Sequence, residues 1–169
     1  MSTTPQPDDI EIRPYRPGDR AGLWACLEPV IRAGETYSIA ADLSADAAIA
    51  YWTEAEKTVF VAVDGETVLG TYYMRTNALG GGAHVCNCGY ITHPEARGRG
   101  VAARLCAHSQ DAARAAGYRA MQFNRVVSTN EGAVRLWKRL GYDIVGVLPG
   151  AFEHPAHGDV DAYVMYKSL

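Results

Sequence analysis

The sequence predicts an α/β (α+β) fold: a mixed, mostly antiparallel seven-stranded central sheet with helices on both faces. Three observations carry this. Two strand-like runs meet at Asp64-Gly65, a hairpin signal. A strand, a glycine-punctuated loop and a long alanine-rich helix follow one another between residues 84 and 117. Hydrophobic periods near 2 and 3.6 then alternate along the chain in the order β-α-α-β-β-β-α-β-α-β-β, with no repeat or linker. A chain of 169 residues, 48% of them hydrophobic, supports one core. We therefore expect a single domain over residues 10–169 behind a disordered tail, MSTTPQPDD, over residues 1–9.

Residues 10–14 (IEIRP) alternate as a short strand. Pro17-Gly18-Asp19 is a turn that opens a helix over residues 21–31, where Leu23, Trp24, Leu27 and Ile31 recur at helical spacing. Pro29 is expected to kink or end it. Residues 33–38 read as a loop. Ser44 caps a second helix carrying Ala48, Ile49 and Trp52 on one side. Strands follow at 58–63, 67–75 and 84–91. Gly117 stops the long helix, and residues 120–127 (AMQFNRVV) form the next strand. Ser128-Thr129-Asn130-Glu131 fits a capping box before a helix whose Ala133, Leu136, Trp137 and Leu140 make one stripe. Strands at 142–148 and 160–167 close the chain around a loop at 149–158.

The chemistry concentrates where the long helix begins, at Arg97-Gly98-Arg99-Gly100-Val101-Ala102. The first N–H groups of a helix lack internal partners and its dipole adds positive charge, so this turn is an anion site. Gly98 and Gly100 allow close backbone approach to a phosphate. Neither the P-loop pattern nor the dinucleotide pattern G-x-G-x-x-G is present. A net charge of −3 argues against nucleic-acid or anionic-membrane binding. No apolar run approaches a membrane span, and the N-terminus is unlike a signal peptide. We expect a cytoplasmic protein with reduced thiols. Cys86 and Cys88 share one strand face as small hydrophobes, and no second ligand pair at zinc spacing exists, so no metal is expected.

The R-x-x-G-x-A turn after a strand resembles the acetyl-CoA pyrophosphate loop of the GCN5-related N-acetyltransferases. A second element, Asn130 followed by Leu136-Trp137-Lys138-Arg139-Leu140-Gly141-Tyr142, resembles that family's N-x(5)-L-[YF]-x-x-x-G-[FY]. The element order matches from Ile10 to Met165. Asn87-Cys88-Gly89-Tyr90, Gln122-Phe123-Asn124 and the closing strands resemble the branch that includes the fungal L-azetidine-2-carboxylate (proline-analogue) N-acetyltransferases.

The resemblance implies acetyl transfer from acetyl-CoA to an amine by direct attack on the thioester. It implies that the strands at 84–91 and 120–127, the fourth and fifth, splay apart to admit the pantetheine arm. Main-chain groups of Tyr90, Ile91 and Thr92 would pair with pantetheine amides. The N–H groups of Gly98, Arg99, Gly100, Val101 and Ala102 would hold the pyrophosphate, with Arg97 and Arg99 adding charge. Asn130 would face the pantetheine or serve only the helix start, and Trp137 would lie against the cofactor. The oxyanion donor would be the N–H of Gly89 or Tyr90 at a strand bulge. Trp137 stands where the family often places a tyrosine acid, and an indole N–H is not a proton source. A thiol with pKa near ~8.5 leaves as thiolate with a penalty of only about 2 kcal/mol at pH 7.

Glu35 in the Gly34-Glu35-Thr36-Tyr37 loop is the first candidate base, because phosphinothricin-type acetyltransferases carry a comparable E-T-[YF] stretch beside the acceptor. His84, His93 and His154 follow. Glu35, Tyr37, Asn87 and Asn124 are the candidate acceptor contacts. Asn87 and Asn124 either clamp a small polar acceptor across the splay or satisfy backbone at the split. A small-molecule amine, such as an amino or imino acid or a toxic analogue, is the expected acceptor. A protein N-terminal or lysine acetyltransferase and a non-catalytic acyl-CoA-binding module are the alternatives. The resemblance also implies a homodimer through the late strands.

Overall fold

The computed structural model describes residues 9–169, so all but Asp9 of the expected tail lies outside the described residues. The chain opens with β1 (Ile10–Pro14), α1 (Arg20–Ala33) and α2 (Ala45–Trp52). Next come β2 (Thr58–Asp64), β3 (Thr67–Thr76) and β4 (Val85–Thr92). Then α3 (Val101–Ala115), β5 (Ala120–Val127), α4 (Glu131–Arg139), β6 (Asp143–His154) and β7 (Gly158–Ser168) complete the order that the sequence predicts. The strands form one seven-stranded sheet, β1-β2-β3-β4-β5-β7-β6. Only β4 and β5 run parallel; the other five pairings are antiparallel.

Strand side chains alternate between faces, and each face carries its own core. Tyr72, Met74, Cys86, Cys88, Met121 and Phe123 pack with Leu105, Cys106 and Trp137 beneath α3 and α4. Val61, Val63, Tyr73 and Ile91 pack with Leu23, Leu27, Ile31, Ile49 and Trp52 beneath α1 and α2. Ser44 caps α2 as predicted, its hydroxyl accepting from the Ala47 N–H at 3.2 Å. No described helix is long and apolar enough to cross a membrane.

Two local expectations are corrected and one is narrowed. Of a kink or an end at Pro29, the end does not occur: α1 runs on to Ala33 with the proline on its solvent side. The missing N–H and ring clash cost about 3 kcal/mol. Burial of Leu23, Leu27 and Ile31, at roughly 1.5–3 kcal/mol each, outweighs that. The capping box at Ser128 does not form: the helix starts from Asn130, whose side chain makes no cap bond. The loop predicted over 149–158 is mostly strand, because β6 continues through Pro149 to His154. Its register against β7 shifts between Leu148 and Phe152. An edge strand with a bulge is where a proline is tolerated, since its absent donor leaves no ladder partner stranded.

Candidate active site

β4 and β5 are each eight residues long, yet they pair only at Val85↔Ala120 and Cys86↔Met121. Beyond that point they part. At the closed end the Arg119 N–H donates to the His84 carbonyl at 2.8 Å. At the first unpaired step the Asn87 amide takes the place of backbone, donating to the Gln122 carbonyl at 2.9 Å. The cause lies in β5. Its register against β7 shifts between Phe123 and Val126, which bends the strand, whereas β4 stays in continuous register with β3 from Cys86 to Thr92. The bulge expected in β4 is therefore absent, and the irregularity sits across the gap.

Backbone direction decides which groups of β4 face the opening. Val85 accepts from Asn77 and His93 donates to Leu69, both toward β3, while His84 faces β5. Alternation then turns residues 86, 88, 90 and 92 toward the gap and 87, 89 and 91 toward β3. Tyr90 and Thr92 thus present main-chain groups to the opening. Ile91 and Gly89 do not: their donors and acceptors belong to the β3 ladder. Gly89 has a packing reason instead. A Cβ there would meet the Tyr73 ring at 2.6–2.9 Å. The Tyr37 hydroxyl, pushed well above its ordinary pKa by burial and so held protonated, donates to the Tyr90 carbonyl at 2.8 Å.

Aromatic rings floor the gap on the α3–α4 side. The Tyr90 ring centroid lies 5.7 Å from that of Phe123 and 5.0 Å from that of Trp137. The Tyr90 hydroxyl bonds Ser109 Oγ at 2.6 Å. Trp137 is 8% exposed, so it supports the gap from below.

At the far end of β4 the turn enters α3. Gly98 and Gly100 hold left-handed φ values of 81° and 74°, which side chains other than glycine disfavour, and a Cβ at either would point into open space. Gly100 is the residue preceding the helix and offers no side-chain cap, so the first N–H groups of α3, from Val101 and Ala102 onward, open outward. These features fit a diphosphate. Arg97 is exposed and makes no ion pair among the described residues. Arg99 is different: its guanidinium pairs with the Asp64 carboxylate at 3.0 Å, which locks the β2–β3 turn to the loop.

On the α1–α2 side a groove of about 340 Å³ is lined by Gly34, Tyr37, Ile39 and, from β6, Ala151 and Phe152. Residues of the loop after α1 and of β6 therefore meet here. Glu35 is exposed and makes no ion pair among the described residues. The ring nitrogens of His93 and His154 accept from the Glu95 and Ala156 N–H groups, each at 3.1 Å, as turn caps. His84 is half-buried beside the closed end of the fork. Asn87 and Asn124 do come together, through a residue the sequence reading quoted without a role. Gln122 Nε2 donates to Asn124 Oδ1 at 2.9 Å, and Asn124 Nδ2 donates to Asn77 Oδ1 at 2.7 Å. Asn77 lies between two predicted strands with no signal of its own, and Arg75, opposite Asn87, carries none beyond a cation late in an apolar strand. Asn130, half-buried at the start of α4, keeps its side chain clear of capping.

The acetyltransferase (GNAT) family matches residues 24–142. The chain belongs to that family. GNAT membership makes it an N-acetyltransferase. N-acetyltransferase aca1 of Schizosaccharomyces pombe is 28% identical over 151 residues, 79% of this chain and 72% of the relative. The structure of a GCN5-related N-acetyltransferase from Kribbella flavida superposes with a TM-score of 0.91 at 38% identity, covering 97% of this chain and all of the other. The fold is shared with yncA of Salmonella typhimurium, solved with its cofactor acetyl-CoA, at a TM-score of 0.83 and 19% identity over 96% of this chain and 95% of that one.

Proposed function

We propose that this GNAT protein acetylates the amine of a small molecule, an amino or imino acid or a toxic analogue of one, with acetyl-CoA as donor in a ternary complex. The parting of β4 from β5 after two paired residues carries the reading. It leaves the Tyr90 and Thr92 main chain free of ladder partners above an aromatic floor, in line with the uncapped start of α3. Acetyl-CoA supplies an activated acyl group with a thiolate leaving group. Gly98, Gly100, Val101 and Ala102 would hold its diphosphate through backbone N–H groups, with Arg97 adding charge and Arg99 setting the loop. Asn130 and the edge of Trp137 would border the arm. The Tyr90 N–H would donate to the acyl oxygen as charge develops there.

The acceptor would enter from the α1–α2 side, where Tyr37 and the β6 segment line the groove. A volume of about 340 Å³ suits a small amine. Asn87 and Asn124, joined through Gln122, would orient it. Glu35, at the solvent edge of the same loop, would pass the amine proton to bulk water. No metal enters this scheme. Four buried free cysteines agree with a reducing, cytoplasmic setting. A homodimer through the β6 edge is part of the reading, since Val145 and Val147 are 61% and 50% exposed there.

The test is release of free thiol from acetyl-CoA by purified protein across a panel of amino and imino acids. At least one should drive release well above background, and Asn87→Ala and Asn124→Ala should each lower kcat/KM by about 10-fold or more while the fold persists. Release that no amine stimulates would end the reading.

A further inference from the structure

Arg75 is a cation on the acceptor side of the fork that has no counter-ion among the described residues. It stands on β3 directly opposite Asn87 on β4, so the two side chains share the α1–α2 face. Two residues earlier on that face is Tyr73, over Gly89, and two residues later is Asn77, which accepts from Asn124. Among the described residues Arg75 makes no ion pair, and its Nε is buried with no hydrogen-bond partner. Leaving a charged donor dry is costly, and such a group is satisfied when something anionic arrives.

Its surroundings say what kind of group fits. The next cation, Lys57, is already held. It pairs with Glu54 at 3.1 Å and lies 3.6 Å and 4.5 Å from the ring centroids of Tyr51 and Tyr73. Asn87 stands opposite Arg75 and Asn77 follows it two residues on; Gln122 and Asn124 are hydrogen-bonded to these two amides, and no ion pair places a carboxylate among the four. A guanidinium with planar donors beside such amides is matched by a planar monoanion.

We propose that Arg75 binds the carboxylate of the acceptor and so selects amino or imino acids over simple amines. This rests on the small-molecule reading above and adds to it the group that reads the acid. The carboxylate would dock between Arg75 and the Asn87–Gln122–Asn124 chain, which places the adjacent amine toward Gly89 and the gap.

The experiment compares matched acceptors, L-proline with L-prolinamide and L-alanine with L-alaninamide, on wild-type protein, Arg75→Gln and Arg75→Lys. Wild type should prefer each acid. Arg75→Gln should raise KM for the acids by roughly 10- to 100-fold, leave KM for the carboxamides within about threefold, and retain acetyl-CoA affinity by calorimetry. Arg75→Lys should recover part of the loss. Equal KM changes for acid and carboxamide, or none for the acid, would overturn the assignment, as would a wild type indifferent to the carboxylate. A wild type that acetylates none of the four overturns the small-molecule reading as well, so the two failures are distinguishable.

Discussion

The indole of Trp137 lies 5.0 Å from the Tyr90 ring and 5.2 Å from the Phe123 ring, beneath the gap between β4 and β5. Tyr142, the other aromatic of that segment, is stacked on Phe123 at 4.4 Å with its hydroxyl donating to Met121 Sδ at 2.8 Å. Burial raises its pKa far above the phenol range, so it stays protonated and inward. Neither the indole N–H nor the inward Tyr142 hydroxyl is expected to hand a proton to a leaving thiolate. Trp137→Phe is therefore expected to keep kcat within about threefold while costing roughly 1–2 kcal/mol in urea unfolding, from the smaller ring left in the same space. A collapse of kcat with unchanged stability would mean that the indole touches the reacting atoms.

The α3 mouth and the β4–β5 fork are properties of elements, since no single side chain makes them. The mouth needs backbone N–H groups aimed outward and two left-handed glycines ahead of the helix. Charge and strain can be separated at Gly100, whose φ is 74°. Asparagine tolerates that conformation, whereas aspartate tolerates it about as well but brings a negative charge. Gly100→Asp should weaken acetyl-CoA binding by at least about 100-fold in calorimetry and Gly100→Asn by much less. Equal losses would show that conformation, not charge, governs the loop. The fork follows from two ladders in conflict: β4 follows β3 without a break, while β5 bends with its own irregular register against β7.

Over the whole molecule, the sheet has β1 and β6 at its edges. β6 is twelve residues long, with two register shifts and Pro149, features that blunt an edge against indiscriminate pairing. Its exposed Val145 and Val147 still offer an apolar stripe. Sedimentation at micromolar concentration is expected to show a dimer, and Val147→Lys a monomer; an unaltered sedimentation coefficient in the variant would place the contact elsewhere. Element order, the hairpin at Gly65, the cap at Ser44 and the glycine turn before α3 were legible in the sequence because each is set by neighbours within a few residues. The strand through Pro149 was not, because edge position overrides local propensity there. The same holds at the site. Gly98 and Gly100 announce themselves, while the sorting of Tyr90 from Gly89 and Ile91, the pairing of Arg99 with Asp64, and the solitary charge of Arg75 depend on which strand each residue faces. Local spacing determined what the chain would make; long-range register, which no short window contains, decided which groups stand open to a ligand.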